Sequence, residues 1–164
     1  MVLSKLKQEF GIESKNNIRN AGNKSIDGAL ACLETFYYSF NNRDIETFKK
    51  IWYDNDLIQL DNPLGGIVRG IKPIMEVYDK IFNGQARVWV NFKDIICYAT
   101  ENMLVFTGTE IGEFSIHSET IPLKIRTSRI FVYLDNEESW FQLHHHGSID
   151  NSRLLLQYQN AVKR

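Results

Sequence analysis

The sequence predicts an α+β domain: a cystatin-like cone with three N-terminal helices packed on a curved antiparallel sheet, in the order α-α-β-β-α-β-β-β-β. Three observations carry the prediction. Segments of helical period lie between residues 25 and 82, four strand-like runs then follow with no helix between them, and 164 residues suit a single domain. Helices segregated from a run of antiparallel strands pack most simply on one face of the sheet. The half-closed cone that results leaves an apolar pocket between sheet and helices.

Residues 1–24 read as an arm. Leu3, Leu6 and Phe10 stand at helical spacing, so the start is either a short docking helix or a frayed segment, and SKNNIRNAGNK over 14–24 reads as a linker. The domain proper spans 25–150. Ile26, Ala29, Leu30, Leu33, Phe36, Tyr37 and Phe40 follow the 3.6 period, with Ser25 or Asp27 as cap and Asn41-Asn42 as exit. A shorter helix starts near Asp44, with Ile45, Phe48, Ile51 and Trp52 on one side. Leu57 to Leu60 forms a short strand, and the turn chemistry of Asn62-Pro63 and Gly65-Gly66 returns Ile67-Val68 as its hairpin partner. The third helix runs from about Ile71 to Phe82, with Pro73 in its first turn and Asn83-Gly84 at its exit. Strands follow at about 87–98, 102–114, 121–134 and 139–149, the last two joined by the polar loop Asp135-Asn136-Glu137-Glu138. The tail, 151–164, places Leu154, Leu155, Tyr158, Ala161 and Val162 at helical spacing.

Nineteen basic and twenty acidic residues give a net charge of −1, which argues against nucleic acid as a partner. No run reaches the ~18 apolar residues that cross a bilayer, so no membrane partner is expected. The start, MVLSKLKQEFGIESKNN, has no continuous apolar stretch of the secretory kind, and Cys32 and Cys97 are the only cysteines; a reduced cytoplasmic protein is the expectation.

The candidate ligand-binding residues are Arg129, His144, His146, Trp140, Glu110, Tyr37 and Trp52. Arg129 sits inside the apolar run TSRIFVY and requires a partner there. That partner is either an anionic ligand gripped by the guanidinium or an internal carboxylate such as Glu110. A four-residue loop at 135–138 pairs Leu134 with Ser139, Tyr133 with Trp140, Phe131 with Gln142 and Arg129 with His144. Arg129, Trp140, His144 and His146 then share one face, and a one-residue slip brings His145 there instead. His144 and His146 form an H-x-H pair on a strand, but no third ligand follows at a metal-binding spacing, and His117 lies in a loop; no metal and no cofactor is expected. Among the acids, Asp54, Asp56 and Asp61 read as surface charges, and Glu110 shares parity with Leu104 and Phe106. A pocket carboxylate near a histidine is chemically equipped as a general base. Tyr37, Tyr78, Trp52 and Trp89 read as core or pocket wall. No phosphate-binding loop, dinucleotide fingerprint, nucleophile elbow or CxxC pair is present.

The strings LETFYYSFNNRDIETFKKIW, NPLGGIVRGIKPIMEVYDKIF and TSRIFVYLDNEESWFQLHHHGS resemble the SnoaL-like branch of the nuclear transport factor 2-like superfamily. They are also similar to the association domain of calcium/calmodulin-dependent protein kinase, over about residues 25–149. The resemblance implies the same cone, a homodimer through the open face of the sheet, and a small-molecule ligand in the cone. It matches Arg129 to a pocket-lining arginine and Trp140, His144 and His146 to a "W … H-x-H" ending. Other pocket groups of that domain have no counterparts in this sequence; strand 102–114 offers Thr109 and Glu110 but no arginine. Two functions follow as expectations. One is small-molecule binding in an apolar pocket, with cofactor-independent isomerisation, dehydration or cyclisation as its catalytic form. There a histidine or carboxylate acts as base and Arg129 stabilises developing negative charge. The alternative is a non-catalytic dimerisation or association module. Two apolar sheet faces, with Ile130 and Val132 on one and Phe131 and Tyr133 on the other, exceed what three helices cover, which also predicts a dimer.

Overall fold

The computed structural model describes residues 1–162. Strand β1 (Val2–Lys5) and a short 3-10 helix (Ile18–Gly22) precede α1 (Ile26–Asn42), α2 (Ile45–Lys49), β2 (Gln59–Asp61), β3 (Ile67–Arg69) and α3 (Ile71–Asn83). Strands β4 (Arg87–Ala99), β5 (Met103–Ile116), β6 (Glu119–Leu134) and β7 (Ser139–Ser148) follow, then α4 (Ser152–Val162). The seven strands form one sheet in the order β1-β4-β5-β6-β7-β2-β3. The α+β cone is therefore as expected from residue 25 onward, and the helical tail is α4.

Helix α1 starts where the Ser25 side chain accepts from the Asp27 amide and stops where Arg43 turns left-handed at φ 58°. Its inner face carries Ala29, Leu33, Phe36 and Tyr37, all essentially inaccessible, and fills the concave side of the sheet. The Arg43 guanidinium donates to the carbonyls of Phe82, Gly84 and Ala86, tying the end of α1 to the end of α3. Helix α3 buries Ile74, Tyr78 and Phe82, a strict i, i+4, i+8 stripe, against α1 and α2.

Two expectations are corrected. The sheet is mixed rather than antiparallel, because β2 pairs parallel to β7, with Leu60 opposite His145. The N-terminal segment is a strand, not a helix. Val2–Lys5 pairs antiparallel with β4, Leu3 opposite Tyr98, where backbone pairing to an open sheet edge overrides a weak helical spacing. Phe10 then forms a further bridge to Phe92 and enters the core.

The sheet curls where it must close around α1. Strand β4 bulges between Lys93 and Ile96, with Asp94 at φ 52°. On β5, a Cβ at Gly112 would lie 1.8 Å from the Trp89 carbonyl oxygen, so only glycine lets the two strands approach this closely beside Glu110.

Candidate functional site

Inner-facing residues of β5, β6 and β7 converge under α1 and α3. Arg129, on β6, is fully buried and donates from all three of its nitrogens. Nη2 donates to Glu110 Oε1 at 2.8 Å, Nε to the Tyr37 hydroxyl at 3.0 Å and Nη1 to Gln142 Oε1 at 3.0 Å. Tyr37 in turn donates to Glu110 Oε1 at 2.6 Å, and the guanidinium carbon lies 3.5 Å from the centre of the Phe36 ring. Of the two partners open to Arg129, the structure contains the internal one, Glu110, with the side chains of the pair 1% and 4% exposed.

Across β7, the residue opposite Arg129 is His145, not His144. The register holds as expected from Leu134–Ser139 through Phe131–Gln142. A bulge then leaves Leu143 unpaired and sets Ile130 opposite His144. His145 therefore points inward and is 5% exposed. Its Nδ1 lies 3.1 Å from the Tyr78 hydroxyl, and its Nε2 is buried without a hydrogen-bond partner among the described residues. Burial, then the Arg129 charge, push its pKa well below the ordinary imidazole value, so the ring is neutral. Burial likewise raises the Tyr37 and Tyr78 phenols.

A cavity of about 100 Å³ opens beside this network. Glu110, Arg129, His145 and Tyr78 form its polar end, and Phe36, Leu60, Val77, Ile81, Leu123 and Ile125 line its apolar walls. Helix α4 and the β2–β3 turn cover its mouth. Tyr158 packs on Phe114 at 4.8 Å between ring centres, and Gln159 donates to the Leu64 carbonyl at 2.8 Å. A larger groove of about 730 Å³ runs along residues 8–14 and the start of α1. It is open, and some of its polar groups pair with one another: Asn17 donates to Glu34 at 2.5 Å and the Ile12 amide to Asn91 at 2.9 Å. The cone cavity, with an unpartnered buried imidazole nitrogen, is the better site.

The remaining expected residues lie elsewhere. His144 and His146 face outward, where Asp61 Oδ2 lies 3.2 Å from His144 Nε2 and 3.6 Å from His146 Nδ1. Among the described residues no group of three or more His, Cys, Asp or Glu side chains is arranged to hold a metal ion. Trp140 is buried away from the cavity, its Nε1 donating to the Asn23 carbonyl at 3.0 Å. Trp52 bridges to Gln142 and packs 6.5 Å from Tyr78 without lining the cavity. Asp54, Asp56 and His117 are exposed. The residues missed were Gln142 and Tyr158, and His145 was placed on the wrong face. The signal for Tyr158 was its helical spacing with Ala161; nothing local marked the bulge that turns His145 inward.

On the outer face, Leu3, Tyr98, Val105, Ile130 and His144 stand in one cross-strand row. Met103 and Val132 pair in the next. Tyr98 is 37% and Met103 43% exposed, so this end of the outer face presents apolar side chains to solvent in the single chain, while Lys124 and Arg126 stand exposed farther along β6. No helix among the described residues is long and apolar enough to cross a membrane.

The SnoaL-like domain family matches this sequence over residues 29–151. No curated protein matches it. Among solved structures, a candidate dehydratase of the nuclear transport factor 2-like family from Streptomyces avermitilis superposes with a TM-score of 0.68 at 15% identity. The match covers 77% of this chain and 97% of that one. A Caulobacter vibrioides protein with a cystatin-like fold gives 0.63 at 14% identity, covering 85% and 98%. A domain from Chlamydomonas reinhardtii homologous to the hub of calcium/calmodulin-dependent protein kinase II gives 0.59 at 12% identity, covering 76% and 97%. At such identities these structures share the fold.

Proposed function

Because the chain belongs to the SnoaL-like domain family, we propose that it binds a small apolar molecule in the cone, with the Arg129–Glu110 network and His145 as the polar end of the site. The observation that supports this most is His145 Nε2: a buried polar atom without a protein partner, on a residue that lines a cavity. Glu110 Oε1 already accepts from both Arg129 and Tyr37, whereas the unpartnered imidazole nitrogen of His145 is free to meet a ligand. Proton-transfer chemistry on the ligand, if the chain is catalytic, falls to His145 with no cofactor. Native mass spectrometry of the purified chain tests the binding reading. It predicts one retained small molecule per chain, lost in Val77→Phe, which projects a ring into the cavity. Ligand-free wild-type protein whose spectrum Val77→Phe leaves unchanged contradicts it.

The same domain self-associates, in this reading, as a homodimer through the outer sheet face, in the reducing compartment that the two free thiols Cys32 and Cys97 suit. The uncovered apolar rows around Val105, Ile130 and Val132 favour a second copy, since a sheet face is self-complementary about a two-fold axis. A purely associating role, with the cone as a packed core, is the second reading, and it rests on that face alone.

A further inference from the structure

We propose that the molecule held in the cone is uncharged and presents a hydrogen-bond-accepting oxygen, such as that of a ketone, ester or ether, to the Nε2–H of His145. The inference rests on the cavity reading above. It follows from two inventories, one of charge and one of protons.

The charged side chains lining the cavity are Glu110 and Arg129, one of each sign, 2.8 Å apart and almost fully enclosed. Their charges cancel. A carboxylate entering the cavity would stand as a second anion beside Glu110, before a guanidinium already committed to Glu110, Tyr37 and Gln142. An ammonium group would meet Arg129. Either leaves a net charge buried among Phe36, Val77, Leu123 and Ile125, which is costly without a counter-ion. A neutral imidazole at His145 supplies no such counter-ion.

The proton inventory selects the tautomer. The Tyr78 hydroxyl is buried, and its hydrogen-bond partner is His145 Nδ1. With the imidazole proton on Nδ1, the phenol proton has no acceptor and Nε2 has no donor, leaving two orphaned groups. With the proton on Nε2, Tyr78 donates to Nδ1 and the sole orphan is Nε2–H. Buried polar groups are rarely left unpaired, so the second arrangement prevails, and what it lacks is an acceptor. Tyr78 is thus a positioning residue: it fixes the tautomer that makes His145 a donor to the ligand.

The test uses the full chain, labelled with 15N histidine and 13C methyls, and three matched probes: cyclohexanone, cyclohexanecarboxylate and methylcyclohexane. Affinities are read from the Ile125 and Leu123 methyl shifts, and hydrogen bonding from His145 Nε2. Cyclohexanone should bind about tenfold more tightly than either of the others and shift Nε2 selectively. His145→Phe should bring cyclohexanone down to the affinity of methylcyclohexane. Tighter binding of cyclohexanecarboxylate overturns the proposal and leaves the cavity reading standing. Binding of cyclohexanone with Nε2 unmoved overturns it as well. No methyl response to any probe overturns both.

Discussion

Arg129 and His145 are direct cross-strand partners on the inner face of the sheet, so the buried guanidinium faces the buried imidazole across one strand gap. Glu110 takes the charge of the first, and Tyr78 takes one nitrogen of the second. The charges at the polar end of the cone thereby cancel, and His145 Nε2 is left there without a hydrogen-bond partner among the described residues.

The ion pair predicts an asymmetric mutational response. Arg129→Leu strands the Glu110 carboxylate and should cost about 3–5 kcal/mol, because breaking a buried pair leaves an uncompensated charge. Adding Glu110→Gln removes that charge and should recover most of the loss. Urea denaturation of the two single variants and the double measures it; additive losses would contradict the pairing.

The buried imidazole predicts acid sensitivity. A histidine whose folded pKa lies below its unfolded value binds a proton more readily when unfolded, so it opposes folding once the pH falls below about 6.5. Between there and the folded pKa, wild-type stability should fall by up to about 1.4 kcal/mol per pH unit more steeply than that of His145→Gln. Parallel pH profiles for the two proteins would contradict a buried neutral ring.

How far the sequence was readable follows from which interactions are local. The period of Ala29, Leu33, Phe36 and Tyr37 is a property of consecutive turns, and α1 forms there with Ser25 as its cap. The loop at 135–138 set the β6–β7 register correctly for the four positions from Leu134 to Phe131. One unpaired residue, Leu143, then exchanged the faces of His144 and His145. Period-2 reasoning propagates such a slip to every later residue, so the histidines behind the bulge were misplaced while Trp140 and Gln142 were not. Strand β1 and the parallel β2–β7 pairing join residues 85 to 97 positions apart, and no local period encodes them.

The outer face predicts dimerisation. Val132→Glu places a carboxylate among the rows of Ile130, Val105 and Met103 without touching the cone. Sedimentation should give a dimer for the wild type and a monomer near 19.1 kDa for the variant, with unchanged circular dichroism. A wild-type chain that sediments as a monomer at micromolar concentration would contradict the interface.

Helix α4 predicts a separable cover. Tyr158, buried along with Ala161, packs on Phe114 of the sheet, and Leu64 accepts from Gln159. Tyr158→Ala should speed amide exchange in α4 while the β5 and β6 amides keep their protection, since the helix is a local unit on the rim. Exchange rising equally throughout the sheet would make α4 part of the core instead.

The central claim, that the cone receives a small molecule, is tested most directly by titrating cyclohexanone into the methyl-labelled chain. The account predicts saturable shifts at Val77, Ile81, Leu123 and Ile125, absent in Val77→Phe, while the outer-face methyls of Ile130 and Val132 stay still. Still cavity methyls, with Ile130 and Val132 responding only to protein concentration, would contradict it and leave the domain as an association module.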